Sequence, residues 1–181
     1  MKIKPINEYK IIWKKRYERI ENQHSIMWNE LSKSEVEEKW IITRPKPYQW
    51  AIDEIIRHML ASEIRYIHQS FNLQSPQIAE AVPAQWVGNR FFRLEEANHV
   101  GLERLKELAS TTEKETKILL DSPNAAYEKK VQAPWGEEMK VYELLEAFYD
   151  HEQYHRGQVY LLLTYFRGLP KEIESQLETT D

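Results

Sequence analysis

One stretch constrains the fold more than any other part of the chain: Leu144 to Pro170, LLEAFYDHEQYHRGQVYLLLTYFRGLP. Steps of three and four along it reach Leu144, Phe148, His151, His155, Gln158 and Leu162. Residues three and four apart share a face, so this is the inward stripe of a long amphipathic helix in a bundle. Two histidines therefore occupy core positions one turn apart. A buried polar group with no partner costs about 1–3 kcal/mol. One divalent metal would satisfy both, because their rings can converge on an ion at metal–nitrogen distances of roughly 2 Å. HxxxH alone also fits two core histidines hydrogen-bonded to neighbours, or a pair turned toward a wet groove.

Three further segments carry the same periodicity. From Pro5 to Leu31 the apolar positions are Ile6, Tyr9, Trp13, Tyr17, Ile20, Met27 and Leu31, and His24 falls on the same stripe. His24 reads as a groove or core residue in preference to a ligand. Ser34 opens S-E-V-E and is a candidate cap for a short helix over Glu35–Ile42. Pro45 and Pro47 then stop any helix. A second long helix is expected from Pro47 or Tyr48, with Trp50, Ile52, Ile55, Ile56, Met59 and Leu60 apolar. His58 lies at the edge of that stripe and can reach a bundle cavity. His68 lies away from it and is expected in solvent.

After a connector from Ser75 to Gly88, a third helix is expected from Arg90 to Leu120, facing inward through Phe91, Leu94, Ala97, Leu105, Leu108 and Thr112. Gly101 would sit inside it at about 1 kcal/mol relative to alanine. Asp121 to Lys140 breaks the pattern and reads as a loop or short hairpin turning at Pro134-Trp135-Gly136. The last helix is expected to end at Gly168 in the left-handed conformation, with Pro170 blocking continuation. The expected fold class is all-α: a four-helix bundle whose long connections allow crossovers, with a loop or short hairpin before the last helix; the periodicity does not choose the topology.

The chain has 181 residues, which suits one domain. It has no cysteine, so disulfides, thiolate ligands and a cysteine nucleophile drop out. A net charge of -4 with both signs interspersed argues against nucleic acid as a partner. No window approaches the roughly 20 apolar residues of a membrane span. The N-terminus lacks the apolar run of a signal peptide, so a soluble cytoplasmic protein is expected.

Trp50-x7-His58, PWGEEMKVYELL and HEQYHRGQ, followed by an apolar run and Gly-Leu-Pro, resemble the DinB-like (DinB/YfiT) superfamily of metalloenzymes. The resemblance covers nearly the whole chain in helix order. It implies a four-helix bundle in which three histidines bind one divalent metal, one from the second helix and two from the fourth. Carried over by position, these are His58, His151 and His155. Three imidazoles and no thiolate suit Zn or Ni, and three protein ligands leave a position open for substrate. The resemblance further implies a thiol S-transferase that brings a low-molecular-weight thiol such as bacillithiol to an electrophile. A metal-dependent hydrolase using metal-bound water is the alternative within the enzymes. A stress-related, non-enzymatic metal-binding bundle is the alternative outside them. A homodimer is expected from the family and the aromatic content.

Around these ligands, Glu152, Gln158 and Asp150 are candidates to fix the second imidazole nitrogens, although Glu152 and Asp150 can equally face solvent. Arg156 reads as an anion-binding group or as a surface partner of Glu152, and Gly157 as a site of close helix packing. A competing site is a di-iron carboxylate centre built on Glu96-x-x-His99 and Glu152-x-x-His155. Against it, Glu96 and His99 flank their stripe, and Glu152 is rotated about 100° from His151.

Overall fold

Trp13, Tyr17, Ile20, His24, Met27 and Leu31 are buried along α1, Asn7–Leu31, as their spacing requires. The computed structural model describes residues 7–46, 50–71, 100–123 and 125–169. Within them, α2 is Glu38–Ile42 and α3 is Ile52–Glu63, continued by a π-helical turn over Ile64–His68. The helix α4 is Leu102–Leu120, α5 is Ala125–Glu128 and α6 is Val141–Arg167. The helices α1 and α3 each pack against both α4 and α6. They share two neighbours instead of forming a simple hairpin, which agrees with an all-α bundle joined by long crossovers.

The expected hairpin is present. β1 (Lys130–Gln132) pairs antiparallel with β2 (Glu138–Lys140), Val131 opposite Met139. Gly136 N–H donates to the Ala133 carbonyl at 2.9 Å, and Gly136 sits at φ 95°, where a side chain would be strained. The hairpin leans on the π-helical turn: Arg65 donates to the Pro134 carbonyl at 3.2 Å, and the rings of Tyr66 and Trp135 are 5.9 Å apart.

Several local expectations are corrected. Glu37, not Ser34, precedes α2, and it makes no side-chain cap. The helix α3 begins at Ile52, after Trp50 and Ala51. There the Glu54 carboxylate accepts the Ala51 N–H at 2.6 Å and also binds the Arg44 guanidinium, satisfying one of the free donors of a helix start. Gly101 is not inside a helix. It immediately precedes α4 with extended backbone, so it carries no mid-helix cost. Phe91, Leu94, Ala97, Glu96, His99 and the 75–88 connector lie outside the described residues, as do Pro47, Tyr48 and Pro170. Gly168 ends α6 at φ -88°, ψ -7°, right-handed and not left-handed, because its N–H closes tight bonds to Thr164 and Tyr165 carbonyls. A Cβ at Gly157 would meet no atom within 4 Å, so that glycine marks no close helix approach.

The core divides into two apolar clusters. One contains Met27, Leu31, Ile52, Leu105, Val159 and Phe166. The other contains Trp13, Tyr17, Ile20, Leu119, Leu145 and Phe148. Between them each long helix contributes buried polar groups: His24 from α1, Glu63 from α3, Thr112 and Thr116 from α4, and Glu152 and His155 from α6. The helix α3 is buried almost all round, including Asp53, Glu54, Arg57 and Glu63, a depth its apolar periodicity did not convey. His68 is therefore not solvated. It is 1% exposed and shares a hydrogen bond with Thr116 Oγ1 at 2.8 Å, because the π-helical turn extends this central helix into the core.

Candidate metal centre

His58 on α3 and His151 and His155 on α6 meet at the polar layer. Their ring centroids are 4.9 Å (58–151), 4.5 Å (58–155) and 4.3 Å (151–155) apart. His58 Nε2 and His151 Nε2 face each other at 3.0 Å. One nitrogen from each of the three lies within 4.8 Å of the others. Two ligand nitrogens on a tetrahedral ion at the usual bond lengths stand about 3.3 Å apart, so little movement is needed to close on one metal. Among the described residues, this is the one grouping of three or more His, Cys, Asp or Glu able to hold a metal ion.

The electrostatics suit that use. Burial, then the neighbouring imidazoles His155 and His151, then Arg65, push His58 down to about 3. Burial and His155 push His151 down to about 3 as well. His155 is also lowered by burial, against the opposing pull of Gln158 and Glu152. All three are neutral at ordinary pH, which is the form a metal requires. Gln158 Oε1 accepts a hydrogen bond from His155 Nδ1 at 2.7 Å, leaving Nε2 of that ring with the free lone pair. His151 Nδ1 is buried with no hydrogen-bond partner. The donor set fits a divalent transition metal: three neutral nitrogens converge, and one of them is oriented by an outer acceptor.

Aromatic rings enclose the cluster. Trp50 stacks on His155 (5.9 Å, 7°) and sets its face at 77° to His58 (4.9 Å). Tyr66 lies 5.5 Å from His151, and Tyr154 lies edge-on to His155 at 4.9 Å. Ser62 Oγ is 3.5 Å from His151 Nε2. Ser62, Tyr66 and Arg65 join the site without having been among the residues the sequence pointed to. Ser62 carried the one available signal, since it lies one turn after His58 and so shares its face.

Of the three candidates for fixing imidazoles, Gln158 does so, Asp150 is exposed, and Glu152 turns elsewhere. Glu152 is 1% exposed and does not face solvent. Its Oε2 is 3.0 Å from His24 Nε2, and His24 Nδ1 is 2.9 Å from Glu113 Oε1. His24 is thus a core residue that joins α1 to α4 and α6. Burial disfavours its charge, but hydrogen bonds to Glu113 and Glu152 outweigh this and raise it to about 10. Nearby, Glu63 accepts from Thr116 Oγ1 at 2.5 Å and from the Tyr17 hydroxyl, and burial raises it to about 7. Arg156 is neither a surface residue nor a member of the histidine cluster: it is buried and hydrogen-bonded to Gln153. The di-iron arrangement loses Glu152 to His24, and its other half, Glu96 and His99, lies outside the described residues.

No helix among the described residues is long and apolar enough to cross a membrane. No curated protein and no solved structure matches the chain significantly. The sequence profile of the DinB family matches residues 17–165, a span that takes in His58, His151, His155 and most of the bundle. Helix layout, histidine placement and this match agree, and the chain belongs to the DinB family.

Proposed function

We propose that His58, His151 and His155 hold one divalent transition metal, zinc or nickel, and that the site is a thiol S-transferase. When bound there, the metal supplies Lewis acidity that favours the thiolate form of a thiol at the position three ligands leave open. The chain has no cysteine, so the thiol is a low-molecular-weight cosubstrate such as bacillithiol. In the transfer its proton is released, its sulfur lone pair forms the S–C bond, and the leaving group departs with the pair of the bond it breaks.

The chain's own residues have separable tasks. Gln158 holds the His155 tautomer. Trp50 stacks on His155 and Tyr154 meets it edge-on, so aromatic rings hold the plane of that imidazole. Arg65, whose charge bears on His58, suits an anionic group of the thiol cosubstrate. The single observation that carries the reading is the convergence of three neutral imidazoles within 4.8 Å. A transferase is preferred to a hydrolase because Glu152, the carboxylate between the two α6 histidines, is committed to His24 and not poised as a general base. A thiolate nucleophile needs no such base.

Elemental analysis of tag-free wild type and His155→Ala tests the metal. About one zinc or nickel per chain, lost in the variant, is expected. No metal above background after supplementation with zinc, nickel and iron removes the basis of the enzyme. Product analysis of the loaded protein then separates the reactions: a thioether requires added thiol, whereas an ester or amide cleaved in water alone identifies the hydrolase. Loaded protein that does neither, with a melting temperature that falls on chelation, is a bundle with a structural metal.

A further inference from the structure

A groove of about 410 Å³ opens between α3 and α6 directly beside the histidine cluster. That volume is within the range of small-molecule sites, roughly 300–1,000 Å³. Its walls are Trp50, Ile55, Leu161 and Leu162, and His155 lines its inner end. Among the described residues, the only other lining groups are the Tyr154 ring and hydroxyl and the Gln158 amide, so none of them brings a formally charged side chain to its border.

The α6 side of the groove is a second stripe on the helix. Tyr154, Gln158 and Leu161 repeat at four and three, one face round from the stripe that enters the core. Leu161 is 51% exposed and Tyr154 is 64% exposed, although both are large and carry apolar surface. Core packing does not account for them. Leu162, one residue on, is buried and forms the floor where the two stripes meet.

We infer that this groove binds an uncharged apolar group, aryl or alkyl, of the electrophilic substrate, presenting its reactive carbon to the histidine cluster. The inference rests on the transferase reading for the name "electrophile", but the chemical class of the occupant comes from the groove. An ionised group would lose its water there without meeting an opposite charge among the described lining residues, which is unfavourable. A flat ring can lie along Trp50 and Leu161, and its substituent then meets the ring of His155, which borders both groove and cluster. Gln158, already bonded to His155 and to Tyr154 (3.2 Å from its Nε2 to the hydroxyl), is the polar edge that limits how far a polar substituent can sit from the cluster.

Equilibrium dialysis at pH 7 with 2-naphthol and 2-naphthoate tests this. The two probes have the same ring system, and only the second is charged. Dialysis is run on the purified full-length protein and again after chelation, so that a carboxylate cannot score by binding metal. The expected result is that naphthol binds equally in both forms and that naphthoate binds the chelated form at least about tenfold more weakly. Leu161→Glu is expected to weaken naphthol binding about tenfold or more, since it removes apolar wall and places a carboxylate in the groove. Metal content and melting temperature should not change, because Leu161 is half in solvent. Leu161→Met, which keeps the wall apolar, should bind as wild type does.

Naphthoate binding the chelated protein as tightly as naphthol overturns the proposal, as does no naphthol binding at all. Unchanged naphthol binding in Leu161→Glu also overturns it. If that variant instead converts a dimer to monomers with naphthol binding intact, the stripe is a contact between copies and not a substrate wall. Protein that takes up no metal when supplemented with zinc, nickel and iron, yet binds naphthol in this pattern, would sink the transferase and leave the apolar site standing, so the two failures are distinguishable.

Discussion

His155 Nδ1 donates to Gln158 Oε1 at 2.7 Å, three residues further along α6. Both side chains project from the same turn of a rigid helix, so the acceptor is held in register with the imidazole it orients. The bond commits Nδ1 as the protonated nitrogen and leaves Nε2 to the cluster. The neighbouring ligand candidate, His151, has no equivalent acceptor on its Nδ1.

Gln158→Leu is therefore expected to weaken metal binding by about 10- to 100-fold, the usual effect of removing an outer-shell partner. Competition with a chromophoric chelator measures it. The melting temperature of the metal-free variant should match that of metal-free wild type, because Gln158 is only partly buried. An unchanged affinity would mean that the tautomer is set in some other way.

Removing His24 leaves the buried Glu152 and the part-buried Glu113 without their shared cation. His24→Gln is expected to cost on the order of 3–5 kcal/mol at pH 6. The folded-state value of His24, about 10, lies above the unfolded 6.5. Its stabilising contribution is thus fully present below pH 6.5 and is lost as pH rises through about 10. Urea unfolding at pH 6 and pH 9.5 should show the gap between wild type and variant narrowing at the higher pH. A gap that is constant or widens contradicts the ion-pair description.

Glu63 titrates in the opposite sense to a salt-bridged carboxylate. Burial raises it from 4.5 to about 7. The native state therefore favours its protonated form, and this contribution is present below pH 4.5 and lost as pH rises through about 7. Glu63→Gln, which stays neutral, should gain stability relative to wild type between pH 4.5 and 7, by up to the order of 3 kcal/mol. The measurement is the difference in urea-unfolding free energy between the two proteins across that window. A flat difference would show that Glu63 is ionised throughout.

Gly136 supplies the positive φ of the hairpin turn, at 95°. A Cβ there meets no atom within 4 Å, so any cost of Gly136→Ala is conformational and not steric crowding. The expected loss is about 1–2 kcal/mol, read from thermal unfolding. The hairpin touches the π-helical turn through Arg65 and Trp135, so the same substitution should also loosen Arg65 beside the cluster. Thermal unfolding identical to wild type would show that the turn relaxes without cost.

Periodicity alone placed most of the inward faces. On α1 the spacing of Trp13, Tyr17, Ile20, His24, Met27 and Leu31 determined which residues are buried, because a helix repeats its face every three to four residues. The same rule put His151 and His155 on one face of α6 and His58 at the edge of α3. The place of the turn at Pro134-Trp135-Gly136 was legible too, since proline and glycine within a short break mark a turn. Periodicity named the apolar stripe of α3 but did not reach Asp53, Glu54, Arg57 and Glu63, which are buried as well. A central helix has no outer face, and local sequence does not state how many neighbours a helix will have.

Partners across the bundle were decided by tertiary structure alone. Glu152 is one residue from a ligand candidate in sequence, yet it joins His24 of α1. Gln158 took the role that Glu152 and Asp150 were equally placed to fill. His68, expected in water, meets Thr116 in the core. Each of these choices depends on how far α6, α4 and α1 rotate and slide as their apolar clusters pack. That rotation follows from the shapes of many side chains at once, so no single helix carries the information.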